Sequence, residues 1–140
     1  MASVYYAEST AWGGRDGHVA SSDGVLDLQL SVPKEMGGPG GSGSNPEQLF
    51  ATGYAACFHG ALKLVGGKQN VDMTDSAVTA TVGIGPNDGG FLLEAKIEVE
   101  IPNADHDTAQ ALVEAAHQVC PYSNATRGNI NVELGVIDNE

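Results

Sequence analysis

The chain has 140 residues, with six basic against eighteen acidic side chains and a formal charge of −12. That length suffices for one domain with its own core and no disulfide staples. The acidic balance argues against nucleic acids and anionic membranes as partners, because their phosphates would be repelled. Met1-Ala2-Ser3-Val4-Tyr5-Tyr6 has neither the basic nor the apolar region of a secretion signal, and no run is long enough to span a bilayer. The expectation is a single cytoplasmic domain over residues 1–140. Two cysteines in that compartment are ordinarily reduced, so pairing between them would be transient and catalytic.

In chain order, residues 4–11, rich in tyrosine and small polar residues, read as a strand that ends at the turn Trp12-Gly13-Gly14-Arg15-Asp16-Gly17. Residues 18–21 and 25–30 read as a hairpin around Ser22-Asp23-Gly24, with Leu26, Leu28 and Leu30 on one face. A glycine run, Gly37 to Gly43, leads into the longest element. Asn45 as N-cap, Pro46 at the first helical position and Asn45 with Gln48 as a capping box predict a helix that Gly66-Gly67 stops. Only Glu47 and Lys63 are charged between those ends. Apolar or small residues on every face imply a long, buried central helix.

Residues 77–84 and 91–101 predict a second hairpin. In its second arm Leu93, Ala95, Ile97, Val99 and Ile101 alternate with Glu94, Lys96, Glu98 and Glu100, so one face is core and the other is water. A helix follows from Asp105 or Asp107 to Val119, with Leu112, Val113, Ala116 and Cys120 on one stripe, until Pro121 interrupts it. Ile130, Val132, Leu134 and Val136 give a last alternating strand. The class is α+β with antiparallel sheet.

Four features carry possible chemistry. Gly38-x-Gly40-x-x-Gly43 matches a dinucleotide fingerprint, but the following strands form a hairpin rather than a parallel crossover, so a flexible connection or lid is the better reading. Cys57, in mid-helix, reads by itself as a buried inert thiol that needs an imported cation to ionise, and Arg15 and Arg127 are the only arginines able to supply it. Cys120 sits before Pro121, where it caps a short helical turn; a helix N-terminus lowers a thiol pKa, and local physics alone makes Cys120 the nucleophile. Metal is not expected, since Cys57 and His59 are two residues apart and diverge, whereas His117 and Cys120 share a helical face.

Taken together, Gly13-Gly14-Arg15-Asp16-Gly17, Val32-Pro33-Lys34, Asn45-Pro46-Glu47-Gln48-Leu49-Phe50-Ala51, Gly53-Tyr54-Ala55-Ala56-Cys57-Phe58 and Cys120-Pro121-Tyr122-Ser123-Asn124-Ala125-Thr126-Arg127-Gly128-Asn129 give the chain its likeness. It resembles the organic hydroperoxide resistance proteins of the OsmC-like superfamily over nearly its whole length. The resemblance implies antiparallel sheets from two chains around long central helices in an intertwined homodimer. It also implies a thiol-dependent peroxidase acting on fatty-acid or alkyl hydroperoxides. By motif position Cys57 becomes the peroxidatic cysteine and Cys120 the resolving one, against the local ranking. Arg15 becomes the missing cation and Glu47 the carboxylate that orients it.

On that footing Cys57 passes through a sulfenic acid to a Cys57–Cys120 disulfide. An external dithiol, for which the resemblance suggests a lipoyl group on a partner protein, reduces it again; no bound cofactor is expected. Met36, Phe50, Phe58 and Tyr122 are the expected lining of an apolar substrate groove. Glu47 and Cys57 are ten residues apart, about 15 Å along a helix and roughly 80° around it. The expectation is therefore that Arg15 and Glu47 serve the Cys57 of the other subunit. The alternatives are an OsmC-type peroxidase with a different substrate or reductant preference, and a redox sensor or lipid-binding module that oxidises once.

Overall fold

The computed structural model describes residues 1–138 and divides into two compact units, Met1–Leu49 and the chain from Phe50 onward. In the first unit, β1 (Ser9–Trp12), β2 (His18–Ser21) and β3 (Asp27–Gln29) form an antiparallel sheet in the order β1-β2-β3. The first strand is later and shorter than the tyrosine pattern suggests. Its register runs from Ser9↔Ser21 to Trp12↔His18, and Tyr5 and Tyr6 precede it and are exposed. The β2–β3 turn closes on Asp23, whose carboxylate accepts from the Ser21 hydroxyl and the Val25 N–H. Of the three leucines expected on one face, only Leu30 is buried; Leu28 is half-buried and Leu26 exposed.

The glycine run is an ordered connection. The N–H groups of Gly38 and Gly40 donate to Pro33 and Val32 carbonyls, and the Gly43 N–H donates to Ser31 Oγ at 2.9 Å. Gly38 and Gly43 lie so close to Val32 and Ser31 that a side chain at either would overlap them. Close approach of the chain to itself, not a phosphate, is what these glycines permit.

The long helix α1 (Pro46–Lys68) starts at the end of this unit and continues through the second. Asn45 caps it, accepting from the Gln48 N–H at 2.8 Å. The capping box is only half made, because Gln48 Oε1 turns to the Ser44 hydroxyl at 3.2 Å. Gly66-Gly67 do not stop the helix, which runs to Lys68. Gly66 is buried against Met73, where a Cβ would collide with the sulfur, and Asn70, at φ 59°, makes the left-handed exit instead. The helix is not enclosed on every side within one chain: Tyr54, Phe58, Leu62 and Val65 are buried, whereas Thr52, Ala56, Gly60 and Leu64 are exposed.

The second unit is built on β4 (Ala77–Asn87), β5 (Gly90–Glu100) and β6 (Val132–Val136), in the order β4-β5-β6. The hairpin is tighter than expected, with strands paired up to Asn87↔Gly90. Asp88-Gly89 forms a two-residue turn in which Gly89 takes φ 84°, a geometry that Asp-Gly favours. On β5 the alternation holds: Ala95, Ile97 and Val99 are buried, and so is Ile101 just beyond the strand.

The sheet is mixed rather than wholly antiparallel. β6 pairs with β5 in parallel, Ala95↔Val132 to Val99↔Val136, because the connection between them is a helical crossover long enough to carry the chain back to the start of the sheet. That crossover holds α2 (His106–Val119) and α3 (Pro121–Thr126). Asp105 caps α2 by accepting from the Thr108 N–H. Ala109, Leu112, Val113 and Ala116 bury its inner stripe in one core with Tyr54, Phe58, Leu62, Ile97 and Val99. Among the described residues no helix is long and apolar enough to cross a membrane.

Candidate active site

Proline chemistry places the second cysteine. Residues before proline avoid the helical region, and Cys120, at ψ 123°, is both the last cap of α2 and the first cap of α3. Its N–H still donates to Ala116 O, while its carbonyl already accepts from Asn124 N–H. The thiol is thereby turned off the helical path. Its sulfur accepts from the Ser123 N–H at 3.5 Å and faces Cys57 Sγ, also at 3.5 Å. Both thiols are free; Cys120 is fully buried and Cys57 half-buried.

Burial pushes the Cys57 thiol up from its ordinary pKa, the Tyr122 backbone amide pulls it down, and Cys120 raises it further. The net direction is upward, toward the neutral thiol.

Tyr122 lies across α1 beside the sulfur pair. A Cβ on Gly53 would stand 2.8 Å from Tyr122 Oη, so the glycine leaves room for the ring. Phe50 and Tyr54 pack on the same ring, with centroids 6.1 and 5.8 Å away. Of the expected lining residues, Phe50 and Tyr122 thus come together. Phe58 is at 0% exposure in the core behind Tyr54, and Met36 is on the surface of the first unit, in a 3-10 turn over Lys34–Met36.

A buried polar network under Cys120 was not legible in the sequence. Tyr54 Oη shares hydrogen bonds with Ser123 Oγ at 2.8 Å and Thr126 Oγ1 at 3.1 Å, and Ser123 Oγ shares a third with His117 Nδ1 at 2.8 Å. Arg127 donates to the His117 carbonyl at 2.8 Å and to Asn124 Oδ1. Burial, then the charge of Arg127, holds His117 below its ordinary pKa. The one available signal was Tyr54 itself, because a tyrosine buried in a helix needs a partner for its hydroxyl.

In the first unit, Arg15 and Glu47 meet in a bidentate pair, Nη1 and Nη2 donating to Oε2 and Oε1 at 2.8 and 2.7 Å. Arg15 is carried by a 3-10 turn over Gly14–Asp16, entered through Gly13 at φ 81°. Glu47 sits in the first turn of α1, where a carboxylate is favoured. The hydrogen bonds raise the Arg15 pKa and lower that of Glu47. Among the described residues no group of three or more His, Cys, Asp or Glu is arranged to hold a metal.

Comparison with known proteins gives the same answer by three routes. The family model for OsmC-like proteins matches residues 38–135. The organic hydroperoxide resistance protein of Xanthomonas axonopodis pv. citri is 52% identical over 132 residues, covering 94% of this chain and 93% of the relative. That of Bacillus subtilis, OhrB, is 47% identical over 133 residues, covering 94% and 96%. The crystal structure of an organic hydroperoxide resistance protein from Elizabethkingia anophelis superposes with a TM-score of 0.93 at 50% identity, covering 99% of this chain and 100% of that one. The chain belongs to the OsmC-like family and, within it, to the organic hydroperoxide resistance proteins.

Proposed function

We propose that this protein is a thiol-dependent peroxidase that reduces organic hydroperoxides, alkyl or fatty-acid, to alcohols. The observation that carries the reading is the pair of free sulfurs, Cys57 and Cys120, 3.5 Å apart. Cys57 as thiolate attacks the O–O bond, becomes a sulfenic acid and releases the alcohol. Cys120 then condenses with it: an S–S bond forms, the S–O bond breaks, and the Cys120 proton leaves with the hydroxyl as water. A dithiol such as a lipoyl group, carried by a partner protein, regenerates both thiols by exchange.

In this scheme Arg15, oriented by Glu47, supplies the cation that Cys57 lacks and stabilises the departing alkoxide. Phe50 and Tyr122, and by the sequence expectation Met36, are assigned to the alkyl chain of the substrate; Phe58, enclosed in the core, is not. The working form is an intertwined homodimer in the cytoplasm, with Arg15 and Glu47 serving the partner's thiolate. Relatives at this identity, named for organic hydroperoxide resistance, favour an organic substrate over an OsmC-type alternative.

The test is steady-state consumption of an organic hydroperoxide by wild type, Cys57→Ser and Cys120→Ser with dihydrolipoamide as reductant. Sustained turnover lost with Cys57, and a changed reductant requirement with Cys120, is the expected result. Turnover that survives Cys57→Ser and vanishes with Cys120→Ser would reverse the roles. Consumption that stops at one equivalent per subunit would make the protein a sensor.

A further inference from the structure

Ser123 is fully buried, yet its N–H and its hydroxyl serve different ends. Its N–H donates to the Cys120 sulfur; its hydroxyl is gripped on one side by Tyr54 of α1 and on the other by His117 of α2. Thr126, at the far end of α3, is tied to the same tyrosine hydroxyl. A helix of six residues has little stability of its own, since nucleation is costly and few internal bonds follow. Three side-chain hydrogen bonds to elements outside it therefore decide where its first turn, and the thiol that caps it, can rest. In a buried setting such bonds are costly to leave unmade and reinforce one another.

We infer that Tyr54 and His117, acting through Ser123, are positioning residues that hold the Cys120 thiol against Cys57 and so set the rate of disulfide closure. The inference rests on the reading of these cysteines as the reacting pair. Closure takes the sulfurs from 3.5 Å to the roughly 2.05 Å of a disulfide, a movement small enough for the cap to make while α3 stays moored. In that step the Cys57 sulfenic acid, formed by an organic hydroperoxide, is reduced as the Cys120 thiol is oxidised. The bond made is S–S, the bond broken is S–O, and water carries away the hydroxyl and the thiol proton. None of the three side chains has a hydrogen bond to Cys57, but the Tyr122 N–H of α3 bears on that thiol, so freeing α3 also touches the peroxide-cleaving step; the product ratio reads closure separately from it.

The experiment separates the two steps. Each protein receives one equivalent of cumene hydroperoxide in the presence of dimedone, which traps sulfenic acid. Hydroperoxide loss reports the first step, and the ratio of disulfide to dimedone-labelled Cys57, by mass spectrometry, reports closure. Tyr54→Phe and His117→Leu are expected to close about tenfold more slowly, as for a reacting group displaced by a fraction of an ångström, with a smaller change in the first-step rate. His117→Asn, whose amide can reach Ser123 from the Nδ1 position, should restore closure. A purely structural role would lower the melting temperature without moving the product ratio or showing this rescue.

Closure at the wild-type rate in either folded variant overturns the inference alone. A wild type that consumes hydroperoxide but forms no disulfide overturns the Cys57–Cys120 scheme and the inference with it; one that consumes none overturns the peroxidase reading as well. Should Tyr54→Phe not fold, His117, half-buried at the edge of the network, carries the test through its Leu and Asn variants.

Discussion

Cys120 Sγ lies 3.5 Å from Cys57 Sγ, across 63 residues of sequence. That is near van der Waals contact, so little reorganisation separates the dithiol from the disulfide, whose sulfurs stand roughly 2.05 Å apart. One equivalent of organic hydroperoxide should therefore yield an intramolecular disulfide, read as a two-hydrogen mass loss and a Cys57–Cys120 cross-linked peptide. Cys120→Ser should instead accumulate dimedone-reactive Cys57. A disulfide joining two chains, visible on a non-reducing gel, would contradict the geometry.

The Arg15–Glu47 pair predicts separable effects on rate and stability. Arg15→Ala should slow hydroperoxide consumption by about 10²-fold, the scale for losing a group that stabilises developing charge. Arg15→Lys should recover only part of it, because an ammonium cannot reproduce the two-pronged contact. The stability cost should stay within about 1 kcal/mol, since Arg15 is 41% exposed and solvent screens the pair. Glu47 has a depressed pKa; its contribution is present above the ordinary carboxylate value of about 4.3 and is lost as pH falls through the lower folded value. Denaturant melts of wild type and Glu47→Gln should converge in acid.

If Arg15 supplies the charge that Cys57 lacks, the cysteine's pH profile should reveal it. Burial, and then Cys120, hold the thiol above its ordinary value, so alkylation of Cys57 by iodoacetamide in Arg15→Ala should rise only at pH above about 8.5. The wild-type profile should rise at lower pH. Superimposable profiles would remove Arg15 from that role.

Gly53→Ala should uncouple stability from activity. Alanine favours a helix interior by up to about 1 kcal/mol over glycine, and the nearest atom its methyl meets is the hydroxyl at the end of the Tyr122 side chain, which is 40% exposed. The melting temperature should hold or rise while hydroperoxide turnover changes, because the ring beside the sulfur pair has moved. Unchanged turnover would show that the position of Tyr122 does not matter to the reaction.

Two histidines should weaken the fold in mild acid. His117 is depressed by burial and then by Arg127, and His59 by burial and then by Lys63. A depressed folded pKa gives stability that is present above the unfolded value of about 6.5 and lost as pH falls through the folded one. His106, raised by Asp138 on the surface, acts in the opposite sense. Melting temperatures at pH 7.5, 6 and 5 should fall more steeply for wild type than for His117→Asn.

Elements governed by near neighbours were legible in the residues. The alternation along β5, Asp105 as a helix cap and the break at Cys120-Pro121 each depend on residues within about one turn, and each stands where local rules put it. Gly66-Gly67 misled because the same residue type serves two purposes. As a helix stop it answers to backbone freedom; here Gly66 answers to the approach of Met73, which no local pattern announces.

The sequence by itself determined the α+β class, the long helix from Pro46, the capping geometry of Cys120 and, through its motifs, the family. Only the tertiary structure decided that β6 runs parallel to β5, that Arg15 reaches Glu47 across 32 residues, and that Tyr54 and His117 close on Ser123. Periodicity, caps and breakers act over three or four bonds of the backbone ladder. A hydrogen bond between distant side chains depends on how whole elements pack and on which polar groups that packing leaves to satisfy one another.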